Sequence, residues 1–251
     1  MKKLFGYVLI GLALVSLVLP GCAPKTTKVV VATDATWPPF EYIDEQTKEI
    51  VGFDIDLMTA IAEKADIEIE FKNVAWDALL AGMAQGSYDA AISCITILPE
   101  REEKMLFSDP YLVAGQLVTV VIDNTDITDK DALGGKTVGA QIGTTGSFEV
   151  GKIEGATLKT YDDIGLAYQD LMNGQIDAVI ADNLLALAYV GKNPDKLKTV
   201  GEVFTEESYG IAVSKSNPEL LTKINAGLAA VEEEGVLDQL GTSLAQQNVV
   251  Q

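Results

Sequence analysis

The sequence contains no histidine. That removes the commonest general base and a common metal ligand, and with them Ser-His-Asp triads and histidine-bound zinc. Cysteine is nearly absent, with two residues, Cys22 and Cys94. Cationic side chains are scarce, 18 against 37 acidic ones, for a net charge of −19. Such a surface repels nucleic acid and anionic membranes and favours cations entering a cleft. No nucleic-acid partner is expected. Arginine is the scarcest cation, because Arg101 stands alone. A chain that uses arginine once can be using its rigid, two-pronged fork, which holds a planar carboxylate as lysine cannot. The flanking Glu100, Glu102 and Glu103 equally suit a solvated arginine. A phosphate loop is absent, since no GxxxxGK[ST] occurs. The acids between Asp123 and Asp131 lack the spacing of a calcium loop, and Glu232–Glu234 reads as a solvated helix face. No cofactor and no metal are expected.

What is present at the N-terminus is an export signature. Lys2 and Lys3 precede an apolar run, Leu4–Leu19, that is shorter than a membrane-spanning helix needs. The layout is that of a secretory signal peptide over residues 1–21. Cys22 directly after it resembles a lipidation site, with residues 22–27 as the lipidated linker and Pro20 as an unusual member of the motif. A lipidated Cys22 leaves Cys94 without an intrachain partner. Leaving out Lys2 and Lys3 takes the net charge from −19 to −21. With 48% hydrophobic residues, the remainder can bury one large core or two modest ones.

The chain repeats itself once. Residues 86–93 read GSYDAAIS and residues 174–181 read GQIDAVIA. Each follows an amphipathic helical pattern, Trp76–Gln85 and Ile164–Asn173, and each leads into a short buried strand, ending at Cys94 and at Asp182. Two similar α/β lobes explain this echo, as does chance between common α/β units. In open α/β sheets ligands gather at the carboxyl ends of strands, which singles out Cys94, Asp182 and the ITILPER segment carrying Arg101. Further expected strands are Lys28–Thr33, Ile67–Phe71, Gln116–Ile122, Lys136–Ala140, Thr157–Tyr161 and Ser208–Val213. Asp34–Phe40 is expected as a loop stiffened by Pro38 and Pro39. Helices are expected over Phe53–Lys64 and Asn217–Leu240, and no pattern over Ala245–Gln251.

Seven stretches then occur in one order: VVVATDATWPPFEY, VGFDIDLMTAIAEKA, AWDALLAGMAQGSYDAAIS, ITILPER with FSDPY, VGAQIGTTGS, NGQIDAVIADN and YGIAVSK. The chain resembles the polar amino-acid-binding family of bacterial solute-binding proteins that feed ABC importers. The resemblance implies a type II periplasmic-binding-protein fold, two α/β lobes joined by a two-strand hinge that closes on one amino acid. Lobe one would comprise 28–115 and 208–245, lobe two 116–207, and 246–251 a tail. It also implies ABC permease subunits as partners and membrane attachment through the lipid on Cys22.

Carried over residue by residue, the resemblance implies this site. Arg101 grips the α-carboxylate, helped by Thr144 and Thr145 in a turn at a helix start. Asp182 takes the α-ammonium. Thr96, through its hydroxyl, and the backbone around Ser93 and Cys94 assist there. Trp37 and Trp76 flank the ligand side chain, although on spacing alone they read as core or rim aromatics. Asp34 faces the far end, and Gln141 lines the pocket from the second lobe. Cys94 departs from the family, where Gly or Ser is expected. An acidic ligand would need a second cation. Two indoles and Asp34 suit arginine or lysine, with glutamine or another neutral polar amino acid as the alternative. A dehydratase-like enzyme on the same fold is the competing class.

Overall fold

The computed structural model describes residues 28–249. The expected signal peptide and Cys22 lie outside the described residues. Two five-stranded sheets organise the chain. The first has the order Ile69–Asn73, Val29–Thr33, Ala90–Ala91, Ala212–Val213, Leu106–Phe107; the second has the order Thr157–Tyr161, Thr137–Gln141, Ala178–Asp182, Gln116–Val121, Leu197–Val200. In each sheet the first three strands run parallel and the last two alternate antiparallel. The same three-strand βαβαβ unit is therefore built twice. Parallel strands need crossover connections, and helices Phe53–Ala65 and Trp76–Gln85 supply them in the first unit. Thr145–Lys152 and Ile164–Met172 do so in the second.

The sequence echo survives in the backbone. Gly86 and Gly174 end the second helix of each unit with φ of 71° and 66°, a left-handed conformation that glycine adopts without a Cβ penalty. Helix Trp76–Gln85 buries Trp76, Leu79 and Met83 at helical spacing, so its expected bounds coincide with the observed ones. The core continues through Val31, Phe40, Leu57, Met58, Ile61 and Ile92, covered by Ile224 and Leu228 of helix Pro218–Glu233.

The chain crosses between the sheets twice, side by side. Leu112–Ala114 pairs antiparallel with Glu207–Tyr209, and this ribbon is the hinge. The crossing is tight at Gly115, where a Cβ would lie 2.1 Å from the Thr205 carbonyl oxygen.

Four expectations are corrected. The strand after Gly86 is only Ala90–Ala91, so Cys94 lies beyond it in a bend with φ of 47°. The expected strand Ser208–Val213 is two strands, Glu207–Tyr209 in the hinge and Ala212–Val213 in the first sheet, because the chain leaves one sheet for the other at Gly210. Asp34–Phe40 contains a short strand, Thr36–Trp37, paired with Glu41–Ile43. The patternless tail is helical, since helix Val236–Val249 runs through most of it. Its Ala and Gln residues are good helix formers. Among the described residues no helix is long and apolar enough to cross a membrane.

Candidate functional site

Nine of the residues singled out from sequence surround one small cavity between the sheets: Trp37, Trp76, Ser93, Cys94, Thr96, Arg101, Thr144, Thr145 and Asp182. The remaining two sit directly behind. Gln141 Nε2 donates to Asp34 Oδ2 at 2.9 Å, and Trp37 Nε1 donates to Gln141 Oε1. All eleven are buried. The cavity is about 10 Å³, room for roughly one water molecule.

Arg101 lies in the short helix Pro99–Glu102 that follows the first sheet's Ala90–Ala91 strand. Its Nη1 donates to the Thr96 carbonyl at 2.8 Å, and its Nη2 reaches across to the Gly143 carbonyl at 3.2 Å. Its guanidinium lies 5.3 Å over the Trp76 ring. One indole face is thus given to the protein's own arginine. The same side chain also lines the cavity. Burial lowers the Arg101 pKa, against the charges of Asp182, Glu100 and Glu207, which raise it.

The turn after strand Thr137–Gln141 places Thr144 at the cap of helix Thr145–Lys152, where its hydroxyl accepts from the Ser147 N–H at 3.3 Å and donates to the Gln141 carbonyl at 2.7 Å. The Thr145 hydroxyl donates to Glu207 at 2.8 Å. Both hydroxyls expected as donors to a ligand carboxylate are therefore engaged. A helix N-terminus still offers backbone N–H groups to an anion. The Thr96 hydroxyl also donates within the protein, to Glu207 at 2.8 Å. Its proton is thereby committed, and Thr96 lines the cavity with lone pairs left to accept.

Asp182 ends strand Ala178–Asp182 and receives the Tyr209 hydroxyl and the Gln116 amide. Burial, then the charge of Glu207, raise its pKa to about 7. Burial likewise raises Asp34 to about 6, against its hydrogen bond from Gln141.

Behind Cys94 stands a second acidic cluster that sequence reasoning missed. Asp54 Oδ2 accepts the Cys94 N–H at 2.8 Å and the Tyr111 hydroxyl at 2.9 Å. Glu41 accepts the Ser93 hydroxyl at 2.8 Å, and that hydroxyl accepts the Asp34 N–H at 3.0 Å. The left-handed φ at Cys94, a position where the resemblance leads to Gly or Ser, costs an L-residue about 1–2 kcal/mol; Asp54 secures that turn. Glu41, Asp54 and Cys94 come within 4.8 Å of one another and are the one set of metal-ligand type found among the described residues. Burial, then the charge of Asp54, push Glu41 well above the carboxylate range, and burial pushes the Cys94 thiol up. Two adjacent buried carboxyls share a proton more readily than they carry two charges. Glu207, Gln116 and Tyr209 are the other functional neighbours missed. Their one signal was position, beside the hinge segments and the YGIAVSK stretch.

Two sheets meeting at a two-strand hinge, with a buried guanidinium and carboxylate facing one cavity, define a two-lobed solute-binding protein of the type II periplasmic-binding-protein fold. The chain belongs to the bacterial extracellular solute-binding proteins, family 3, which match residues 29–244. An L-cystine-binding protein of Escherichia coli is 34% identical, covering 84% of this chain and 80% of its own length. An ABC transporter arginine-binding protein of the same organism is 36% identical, covering 87% and 90%. An ancestral arginine-binding protein solved with arginine superposes with a TM-score of 0.83 at 42% identity, covering 86% of this chain and 97% of its own. An ancestral arginine-binding protein bound to glutamine superposes with a TM-score of 0.82 at 42% identity, covering 86% of this chain and 97% of its own.

Proposed function

We propose that this chain is the amino-acid-binding component of an ABC importer, and that a basic amino acid, arginine or lysine, is its ligand. It binds its ligand without transforming it and passes it to permease subunits. Lobe one is residues 28–115 with 208–245, and lobe two is residues 116–207. The observation that carries the ligand class is a charge imbalance. Asp34, Asp182 and Glu207 are buried around the cavity and face a single guanidinium, Arg101. A ligand α-carboxylate occupies Arg101 and its α-ammonium offsets Asp182. A cationic side chain offsets Asp34, which a neutral side chain leaves desolvated. The arginine-binding relatives support the same reading. A calorimetric screen across the amino acids tests it, and tightest binding of an acidic or aliphatic amino acid would overturn it.

Glutamine is the second reading, favoured by the glutamine complex of an ancestral relative and by the amide that Asp34 already accepts from Gln141. Asp34→Asn separates the two. Asparagine keeps an acceptor for an amide but removes the counter-charge of a guanidinium. The ratio of arginine to glutamine affinity is expected to drop about tenfold or more. An unchanged ratio would make glutamine the better ligand.

We also propose that Cys22 carries the lipid that holds the protein to the outer face of a membrane. Cys22→Ser is expected to move the protein from the detergent phase to the aqueous phase in a phase-partitioning assay. Aqueous partitioning of the unaltered protein would refute the anchor.

A further inference from the structure

Glu207 begins the returning hinge strand, yet its carboxylate is buried at the junction of both lobes. Four donors converge on it. Oε2 accepts the Thr96 hydroxyl, beside the first sheet, and the Thr145 hydroxyl, at a helix start on the second, both at 2.8 Å. Oε1 accepts the Thr205 hydroxyl at 2.8 Å and the Gln116 amide at 3.0 Å. One oxygen is thus shared by the two lobes. The consequence at the cavity is directional. A hydroxyl has one proton, so Thr96 and Thr145 give theirs to Glu207 and turn lone pairs elsewhere. Thr145 already uses one to accept from Gln116 at 3.1 Å.

We infer that Glu207 is a positioning residue for the ligand α-ammonium: it bridges the two lobes in the closed form and orients the Thr96 hydroxyl as an acceptor beside Asp182. This rests on the amino-acid-binding reading above. Glu207 touches the ligand through Thr96 and through its charge, and it shares the Gln116 amide with Asp182. Its neighbour's titration reports that charge, because Glu207 is one of the groups that raise Asp182, opposed by the hydroxyl of Tyr209, the amide of Gln116 and the charge of Arg101.

The test is L-arginine affinity measured by calorimetry from pH 5 to pH 8 in the unaltered chain, Glu207→Gln and Glu207→Asp. Glutamine keeps the length and loses the charge. It is expected to bind about tenfold more weakly at pH 8, with the onset of acid weakening moved to lower pH. Aspartate keeps the charge and is one methylene short of spanning both hydroxyls. It is expected to lose affinity at pH 8 with the onset unmoved. Native affinity in both variants, or an equal loss with the same onset in both, would overturn the role. Thermal unfolding of each variant checks that it is folded, and the aspartate variant carries the test if the glutamine variant is not. Absence of amino-acid binding by the unaltered chain would instead fail the underlying reading.

Discussion

Arg101→Lys is expected to weaken arginine binding at least a hundredfold. Lysine preserves the charge but offers a single ammonium in place of the fork. Charge-assisted hydrogen bonds are worth about 1.5–3 kcal/mol each, and losing the two that a carboxylate would take from the fork removes about 3 kcal/mol or more. At about 1.4 kcal/mol per decade, that is two orders of magnitude or more. The structure adds a second cost. Arg101 ties the Thr96 carbonyl of one lobe to the Gly143 carbonyl of the other while its guanidinium lies 5.3 Å over the Trp76 ring. An ammonium cannot bond both carbonyls, stack on the indole and receive a carboxylate together. Because every α-amino acid presents the same carboxylate, arginine and glutamine should lose affinity by similar factors. Calorimetry on both ligands reads this directly. Near-native affinity would remove Arg101 from the binding site, and a loss confined to arginine would move it to the side-chain end.

Much of this architecture was legible because its signals are local. Helix Trp76–Gln85 declares itself by apolar residues at helical spacing, and the two glycine turns after the paired helices declare the repeat. Strand-end position marked Asp182, Cys94 and the segment carrying Arg101, but the other site residues were legible only through the resemblance to a family, since spacing alone left both tryptophans as core or rim aromatics and Arg101 evenly open between a carboxylate fork and a solvated cation. What stayed hidden depends on contacts distant in sequence. No pattern in the sequence sets Glu207 apart from its neighbour Glu206. Glu207 is buried because strand Glu207–Tyr209 pairs with Leu112–Ala114, nearly a hundred positions earlier. Glu41 and Asp54 look like surface acids of a loop and of a helix's first turn, and become a buried pair only when Ser93 and Cys94 fold over them. The direction of each threonine hydroxyl follows from which carboxylate or carbonyl lies within reach. The two-residue strand Ala90–Ala91 misled because an apolar run continues past the last ladder bond.

Acidification is expected to release the ligand. Without ligand, Asp182 is raised to about 7 and Asp34 to about 6, both mainly by burial. An acid with a raised pKa in the folded state keeps its proton where the unfolded chain has lost it. The unfolded chain therefore binds fewer protons, and folding stability falls as pH rises from about 4, where the unfolded carboxyls ionise, through the raised values. Ligand binding has the opposite sign. The α-ammonium needs Asp182 charged, so below pH 7 binding must expel a proton and affinity drops with pH. From pH 8 to pH 5, Asp182 alone implies roughly a hundredfold loss for any α-amino acid. A cationic side chain needs Asp34 charged as well, which adds about a further tenfold for arginine. Glutamine, which hydrogen-bonds Asp34 without needing its charge, should show the first loss and not the second. Calorimetry in buffers of different ionisation enthalpy counts the protons released, which should exceed those for glutamine when arginine binds near pH 5.5. Arginine affinity flat between pH 5 and pH 8 would mean that neither carboxylate meets a cation. Equal slopes for the two ligands would leave Asp182 in place and take Asp34 out of ligand selection.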